Sequence, residues 1–164
     1  FRQPGRSCIT VRYATIANRK RYLVTICSIM AYNIQIFNDS GIQPLPRKKI
    51  QDTIVRVLGG ENVEPASVNV VYVTDERLLE MNREYLNHDS RTDVITFPLG
   101  EDNFEGEVYI SVERAMAQAK DYKVSLTNEL MRLAAHGVLH LVGYDDQSDE
   151  DRAKMRKMED KYIK

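Results

Sequence analysis

Two of the three histidines in the chain, His136 and His140, stand four residues apart in the stretch HGVLHLVGYDD. On a helix this spacing puts both imidazoles on one face, one turn apart, where they can share a cation. Gly143 can end such a helix and reverse the chain, which brings Asp145 or Asp146 back toward the two rings. Two imidazoles and one carboxylate leave Zn²⁺ with net positive charge, which lowers the pKa of bound water toward neutrality. The pattern predicts a zinc site of His136, His140 and one of the two aspartates, with Asp146 ten residues after His136.

The alternative is a helix that carries two buried, hydrogen-bonded histidines, because Leu139, Leu141 and Val142 around them are typical of a core. A histidine pair at this spacing is weak evidence for a metal, and the glycine and aspartates after it favour the metal site. Zinc peptidases of the H-E-x-x-H type share the spacing but need a glutamate directly after the first histidine as general base. Here Gly137 stands in that place, which indicates a zinc hydrolase that acts on another substrate class.

The periodicity of apolar residues predicts the elements that must position these side chains. Strands are expected at 32–38, 68–74, 92–99 and 106–111, and helices at 47–60, 75–86, 112–122, 127–142 and 148–163. This order predicts one α/β domain (α+β-like), with a single mixed sheet of about four strands covered by about five helices. The metal site falls on the fourth helix and the turn after it.

Charge is distributed unevenly along the 164 residues. Residues 1–29 carry six basic and no acidic side chains, whereas 30–164 carries 17 basic and 24 acidic ones, a net charge of −7. The chain begins with Phe1, and its first methionine is Met30. We therefore expect residues 1–29 to be a basic, poorly ordered N-terminal extension and 30–164 to be the metallohydrolase domain. A targeting peptide is the alternative interpretation of the extension.

The two cysteines, Cys8 and Cys27, are too few for a disulfide framework and favour a reducing, cytoplasmic environment. No stretch approaches the roughly 18 to 20 consecutive apolar residues of a membrane helix. The sequence therefore predicts a protein that does not enter a membrane.

Four segments resemble those of the YbeY family, the zinc-dependent endoribonucleases of rRNA maturation. HGVLHLVGYDD is similar to the family signature H-G-x-L-H-L-x-G-Y-D-H, and further similar segments are MNREYLNHDSRTDVITFP, GEVYIS and DRAKMRKMEDKYI. The resemblance spans residues 30–164. It implies cleavage of single-stranded RNA in 16S rRNA 3′-end maturation and ribosome quality control, with one Zn²⁺ per chain. The implied partners are rRNA and the small ribosomal subunit or its associated proteins.

The chain departs from the family at the third ligand, which is usually histidine and here is Asp146. A carboxylate can bind zinc, but it also suits Mn²⁺ or Fe²⁺. Asp145 is expected to support Asp146 from beside it, or, as the alternative, to be the ligand itself. The family also often carries a functional arginine where this chain has Leu86, and a lysine where it has His88.

Substitutes for the missing arginine are available. Arg132 lies four residues before His136 and could hold a scissile phosphate, or it could only pair with Glu129 or Glu80. Arg91 and His88 lie in the loop before the third strand, where they either contact RNA or are only solvated.

Two other functions remain open at this point. RNA-binding surfaces are usually basic, so the charge of −7 over residues 30–164 requires a local basic cleft or a protein partner. The alternatives are a non-catalytic, ribosome-associated metal-binding factor and a metallohydrolase of another substrate class such as peptides.

Overall fold

The computed structural model describes residues 8–10, 25–27, 32–100 and 104–164 of the chain. Its contacts divide the chain into two units, residues 1–31 and 32–164. In the first unit, β1 (Cys8–Thr10) pairs antiparallel with β2 (Thr25–Cys27), and Cys8 stands opposite Cys27 in the register. Most of the predicted extension 1–29 lies outside the described residues, so its poor order stays a prediction.

The second unit is a mixed sheet with helices on both faces. Its elements are β3 (Tyr32–Asn38), α1 (Arg47–Gly60), β4 (Ala66–Val73), α2 (Asp75–Leu86), β5 (Val94–Pro98), β6 (Phe104–Ser111), α3 (Val112–Asp121), α4 (Leu126–Val142) and α5 (Asp149–Tyr162). The strand order is β3-β4-β6-β5, with β5 antiparallel to β6 and the other pairs parallel. The predicted α/β fold with four strands and five helices is confirmed, and each predicted boundary lies within two residues of the observed one.

The central strand β4 explains why the sheet is covered on both faces. It pairs with a parallel neighbour on each side, and parallel strands of this kind read as nearly continuous apolar runs. Val68, Val70 and Tyr72 belong to the larger core cluster, which also contains buried residues of α1 and α4. Val71 and Val73 point to the opposite face and pack with buried residues of α2. No helix in the described residues has the length and apolar content needed to cross a membrane.

Helix α4 carries the histidines through the core and ends at a defined turn. Ser125 caps its start, where the Oγ atom accepts a hydrogen bond from the N–H of Asn128 at 3.1 Å. At its end Gly143 adopts a left-handed conformation with a φ of 105°. The N–H of Gly143 donates to the carbonyl of His140, and the N–H of Tyr144 donates to that of Leu139. This is the Schellman arrangement, and it reverses the chain directly after the second histidine.

Gly137 marks the place where α4 lies closest to the sheet. A Cβ atom at this position would lie 2.3 Å from Cγ1 of Val108 and 3.2 Å from Cγ1 of Val94. The residue after the first histidine therefore has no space for any side chain, because β5 and β6 occupy it.

We expect Gly137→Ala to be less stable than Gly59→Ala by about 1–3 kcal/mol, the usual cost of overpacking a core. Both changes gain similar helix propensity, but a Cβ at Gly59 would meet only the hydroxyl of Tyr32 at 3.5 Å. Urea unfolding of the two variants measures the difference. Adding Val108→Ala to Gly137→Ala should recover part of the loss, and equal stability of the two glycine variants would contradict the close contact.

Candidate metal centre

Three acceptor atoms from α4 and the turn after it converge on one point. The Nε2 atoms of His136 and His140 lie 3.0 Å apart, and Oδ2 of Asp146 lies 3.8 Å from each of them. All three residues are partly buried. The sequence-predicted ligands are therefore brought together, although their role as ligands stays a prediction.

The hydrogen bonds of the two rings determine which nitrogen carries the proton. Nδ1 of His140 lies 2.9 Å from the backbone carbonyl of Tyr144, which can only accept, so this nitrogen must donate. Nδ1 of His136 lies 2.8 Å from Oε1 of Glu159, a carboxylate that also accepts. In the neutral rings both Nε2 atoms are then bare lone pairs, and they face each other at 3.0 Å.

Such an arrangement is unfavourable unless a cation lies between the lone pairs. Ligands about 2.0–2.2 Å from a tetrahedral zinc ion lie roughly 3.3–3.6 Å from one another, close to the observed 3.0 and 3.8 Å. A proton on Nε2 of one ring would also remove the repulsion between the two lone pairs. Burial opposes it, but the hydrogen bond and charge of Glu159 outweigh burial, and the pKa of His136 is raised. The residues therefore fit a divalent metal such as zinc.

Glu159 on α5 holds the first histidine in place. Only 6% of its surface is exposed, and it accepts from Nδ1 of His136 at 2.8 Å and from Nη1 of Arg132 at 2.9 Å. Burial opposes its charge, but the interactions with His136 and Arg132 outweigh burial, and the pKa of Glu159 is lowered. A carboxylate behind a metal-binding histidine fixes the ring's tautomer and raises its basicity.

Sequence reasoning did not single out Glu159. The available signal was its spacing, because Met155, Glu159 and Tyr162 are the buried residues of α5 and share its apolar face. An acidic residue on the apolar face of an otherwise charged helix needs a partner in the core.

The second histidine is held by the turn, which is itself anchored to α1. Tyr144 accepts from His140 through its carbonyl, and its hydroxyl donates to Oε2 of Glu61 at 2.9 Å. The hydroxyl of Tyr162 also donates to Glu61. The ammonium group of Lys154 lies 5.0 Å from the centre of the Tyr144 ring. The turn that carries Asp146, the third candidate ligand, is thus fixed by α1 and α5.

Asp145 has a different position from Asp146. It is exposed, and its Oδ1 accepts the backbone N–H of Asp146 at 2.7 Å. Arg152 of α5 donates to the backbone carbonyls of Asp146 and Gln147 at 3.1 and 2.6 Å. Asp146, and not Asp145, faces the two histidines, and its neighbours shape the backbone that presents it.

A cleft of about 410 Å³ lies beside the ligands. Its lining includes His136 and Asp146 together with three arginines, Arg132, Arg152 and Arg156. Its volume falls in the range of about 300–1,000 Å³ that is usual for small-molecule sites. The cleft therefore brings cationic side chains and two candidate metal ligands into one cavity.

Arg132 makes contacts with acidic side chains around this cleft. Nη1 donates to Glu159, and Nη2 donates to Asp160 at 3.0 Å. Nε lies 3.9 Å from Oε2 of Glu129. Among the described residues Glu80 pairs with Arg77 in its own helix and not with Arg132. The phosphate-clamp role of Arg132 stays a prediction.

Arg91 and His88, the two other residues predicted from the sequence to contact RNA, do not line the cleft. Arg91 pairs with Asp75 and Glu76 at the start of α2, and His88 is exposed in the loop between α2 and β5. From the same region it is Asp93 that lines the cleft, where its Oδ2 accepts from the side-chain amide of Gln118 at 2.8 Å. Contact of Arg91 and His88 with RNA stays a prediction.

Glu129 is an unusual buried acid in the lining of the cleft. It is 1% exposed, and its Oε2 has no hydrogen-bond partner among the described residues. Burial is the main cause of its raised pKa, and the charge of Arg132 only partly opposes the rise. Burial therefore disfavours the charged form of this carboxyl group in the folded chain.

We expect zinc affinity to fall about 10- to 100-fold in Glu159→Gln, the usual effect of removing the partner of a metal-binding histidine. Titration against a competing chelator measures this. Asp160→Asn is the matched control, since Asp160 also binds Arg132 but is exposed. Equal affinities in both variants would exclude a role of Glu159 in orienting His136.

We expect Glu129→Gln to raise the melting temperature at pH 7.5 and to change it little at pH 4. A raised pKa in the folded state contributes stability that is present below the ordinary pKa of the carboxyl group and is lost as the pH rises through the folded pKa. Glutamine removes that loss because it imitates the protonated acid. The exposed Glu84→Gln serves as the control, and destabilisation by Glu129→Gln at pH 7.5 would show that the fold favours the charged carboxylate and would contradict the raised pKa.

Comparisons with known proteins identify the family of the chain. The family sequence model described as Endoribonuclease YbeY matches residues 35–164. The Endoribonuclease YbeY of Chloroherpeton thalassium is 42% identical over 122 residues, which cover 74% of this chain and 86% of that protein. The Endoribonuclease YbeY of Flavobacterium psychrophilum is 46% identical over 110 residues, covering 66% and 78%. The solution structure of TM1509 from Thermotoga maritima, 28% identical, matches with a TM-score of 0.57 and covers 79% of this chain and 86% of that one. The chain therefore belongs to the YbeY family.

Proposed function

We propose that the chain is a zinc-dependent endoribonuclease that cleaves single-stranded RNA, in the 3′-end maturation of 16S rRNA and in ribosome quality control. The observation that carries this proposal is the convergence of His136, His140 and Asp146 on one point beside a cleft lined with arginines. Its relatives are named endoribonucleases, which supports RNA as the substrate. The activity belongs to the cytoplasm, with the small ribosomal subunit or its proteins as partners.

In this proposal each side chain around the metal has a task. A zinc ion held by His136, His140 and Asp146 would act as a Lewis acid on the phosphodiester and lower the pKa of a water molecule. Glu159 keeps the proton of His136 on Nδ1, and the carbonyl of Tyr144 does the same for His140. In the neutral rings both Nε2 atoms are therefore left with a lone pair for the metal.

Arg132 is suited to hold a phosphate without leaving its place. Its contact with Asp160 is exposed to solvent, whereas its contact with Glu159 is buried. The Nη2 group can exchange the Asp160 carboxylate for a phosphate oxygen while Nη1 stays on Glu159. The guanidinium then stabilises negative charge that develops on the phosphate during cleavage.

A peptidase of the H-E-x-x-H type is disfavoured for a physical reason. The general base of that mechanism would stand at Gly137, where even a Cβ atom would lie 2.3 Å from Val108. No glutamate fits at this position while α4 remains on the sheet.

The matched substitutions Asp146→Asn and Asp145→Asn test the proposal. The substrate is an end-labelled single-stranded RNA from the 3′ end of 16S rRNA, and the full chain is loaded with zinc. We expect Asp146→Asn and His140→Ala to lose at least about 100-fold in cleavage rate, because they remove ligands and not merely the partners of ligands. Asp145→Asn should cleave like the parent, because asparagine keeps the oxygen that accepts the N–H of Asp146.

The other outcomes are equally informative. Loss of cleavage in Asp145→Asn alone would make Asp145 the third ligand. The same rate in all variants, purified identically, would indicate a contaminating nuclease. No cleavage by the parent would favour a non-catalytic factor that acts on the ribosome.

A further inference from the structure

The charge of residues 30–164 is −7, so an RNA substrate needs a local surface of the opposite sign. Helix α5 provides one along part of its length. Its first turn is acidic, with Asp149, Glu150 and Asp151. From residue 152 onward six basic and only two acidic residues follow, Glu159 and Asp160. This part of the helix therefore carries a net positive charge, whereas the unit as a whole is negative.

The two acids in this part do not neutralise the neighbouring cations. Glu159 is buried, and its two oxygens accept from His136 and Arg132. Asp160 binds the other amino group of Arg132. Arg156 and Lys157 make no salt bridge with any described residue. Arg156 and Lys157 can therefore bind an anion without first breaking a salt bridge.

The basic side chains form one continuous surface. We use the name α5 cationic row for Arg152, Arg156, Lys157, Lys161 and Lys164, which line one surface depression along the helix. From Arg152 to Lys161 the row runs about 14 Å, at 1.5 Å per residue. All five members are exposed, whereas Met155, Glu159 and Tyr162 of the same helix are buried.

The row leads into the candidate active site. Arg152 and Arg156 line both the depression along α5 and the cleft that contains His136 and Asp146. Arginine binds phosphate oxygens in a bidentate manner, and lysine acts as a mobile point charge toward them. An anionic polymer that lies on the row would therefore pass these arginines on its way to the candidate metal ligands. The acidic side chains that also line the depression, Asp149 and Asp160, pair with Arg152 and Arg132.

We propose that the α5 cationic row is the track along which the backbone of single-stranded RNA enters the cleft. Arg152 and Arg156 hold the phosphates nearest to the metal ligands, and Lys157, Lys161 and Lys164 hold those farther away. This proposal rests on the function proposed above, and it adds which surface binds the RNA and from which side the RNA enters the cleft.

The test is the salt dependence of RNA binding. The triple variant Arg156→Gln, Lys157→Gln, Lys161→Gln is compared with the parent and with a control of equal charge change, Lys48→Gln, Lys49→Gln, Arg83→Gln. The control residues are exposed and line neither the depression nor the cleft. In the binding assay the parent and both triple variants also carry His140→Ala, so that the labelled RNA is not cut. Fluorescence anisotropy gives the dissociation constant at about 0.05 to 0.3 M salt.

Each phosphate contact to a single strand adds about 0.7 to the slope of log affinity against log salt concentration. We expect the row variant to lose about 2 in slope and roughly 10- to 100-fold in affinity near physiological salt, with the control close to the parent. With His140 restored, the row variant should show a raised KM and a nearly unchanged kcat, the signature of lost uniform binding. Circular dichroism and zinc content should match the parent.

The possible failures separate the two proposals. Unchanged slope and affinity in the row variant would overturn the track, while cleavage by the parent would still support the endoribonuclease. An equal loss in the control would attribute binding to net charge and also overturn the track. A parent that neither binds nor cleaves RNA would overturn both proposals.

Discussion

The site depends on two lone pairs that face each other at 3.0 Å, on Nε2 of His136 and His140. Each ring is kept in this orientation because its other nitrogen donates to a fixed acceptor, Glu159 in one case and the Tyr144 carbonyl in the other. Neither ring can relieve the contact by exchanging its tautomer without losing that hydrogen bond. The fold thus holds an arrangement that is favourable only around a cation.

The two acceptors come from different parts of the structure, which explains why three helices are needed for one small site. Glu159 lies on α5 and ties α4 to it through both His136 and Arg132. Tyr144 lies in the turn and is anchored through its hydroxyl to Glu61 at the end of α1. Helix α5 buries Glu159 on the face that packs against α4, and its exposed surface carries basic side chains. One element therefore combines a contact that positions a candidate ligand with an exposed cationic surface.

The sequence was sufficient for most of the fold and for the three converging residues. Periods of two and of 3.6 residues identify strands and helices wherever one face is buried, and β4 was recognisable because its apolar run is nearly continuous. The ligand group follows from local geometry, since His136, His140 and Asp146 lie within eleven residues on a helix and a turn.

The contacts that orient the ligands could not be predicted in this way. Glu159 is 23 residues from His136, and Glu61 is 83 residues from Tyr144. Local patterns carry no information on which distant side chain completes a hydrogen bond. Arg91 was an expected RNA contact because of its loop position, and only the structure shows its pairing with Asp75 and Glu76. The α5 cationic row is hidden in the sequence by the acidic residues between its members, whose burial or pairing is visible only in three dimensions.

The turn after α4 restricts the lengths that the chain can have between its second and third candidate ligands. Two backbone hydrogen bonds close the turn, and the ring of His140 adds a third to the carbonyl of Tyr144. Surface loops usually tolerate insertions and deletions because their ends can adjust. Here one residue more or fewer between His140 and Asp146 would move the carboxylate away from both imidazoles and leave the ring without its acceptor. This connection is therefore fixed in length although it lies at the surface, and sequence variation in the unit has to be accommodated in other loops.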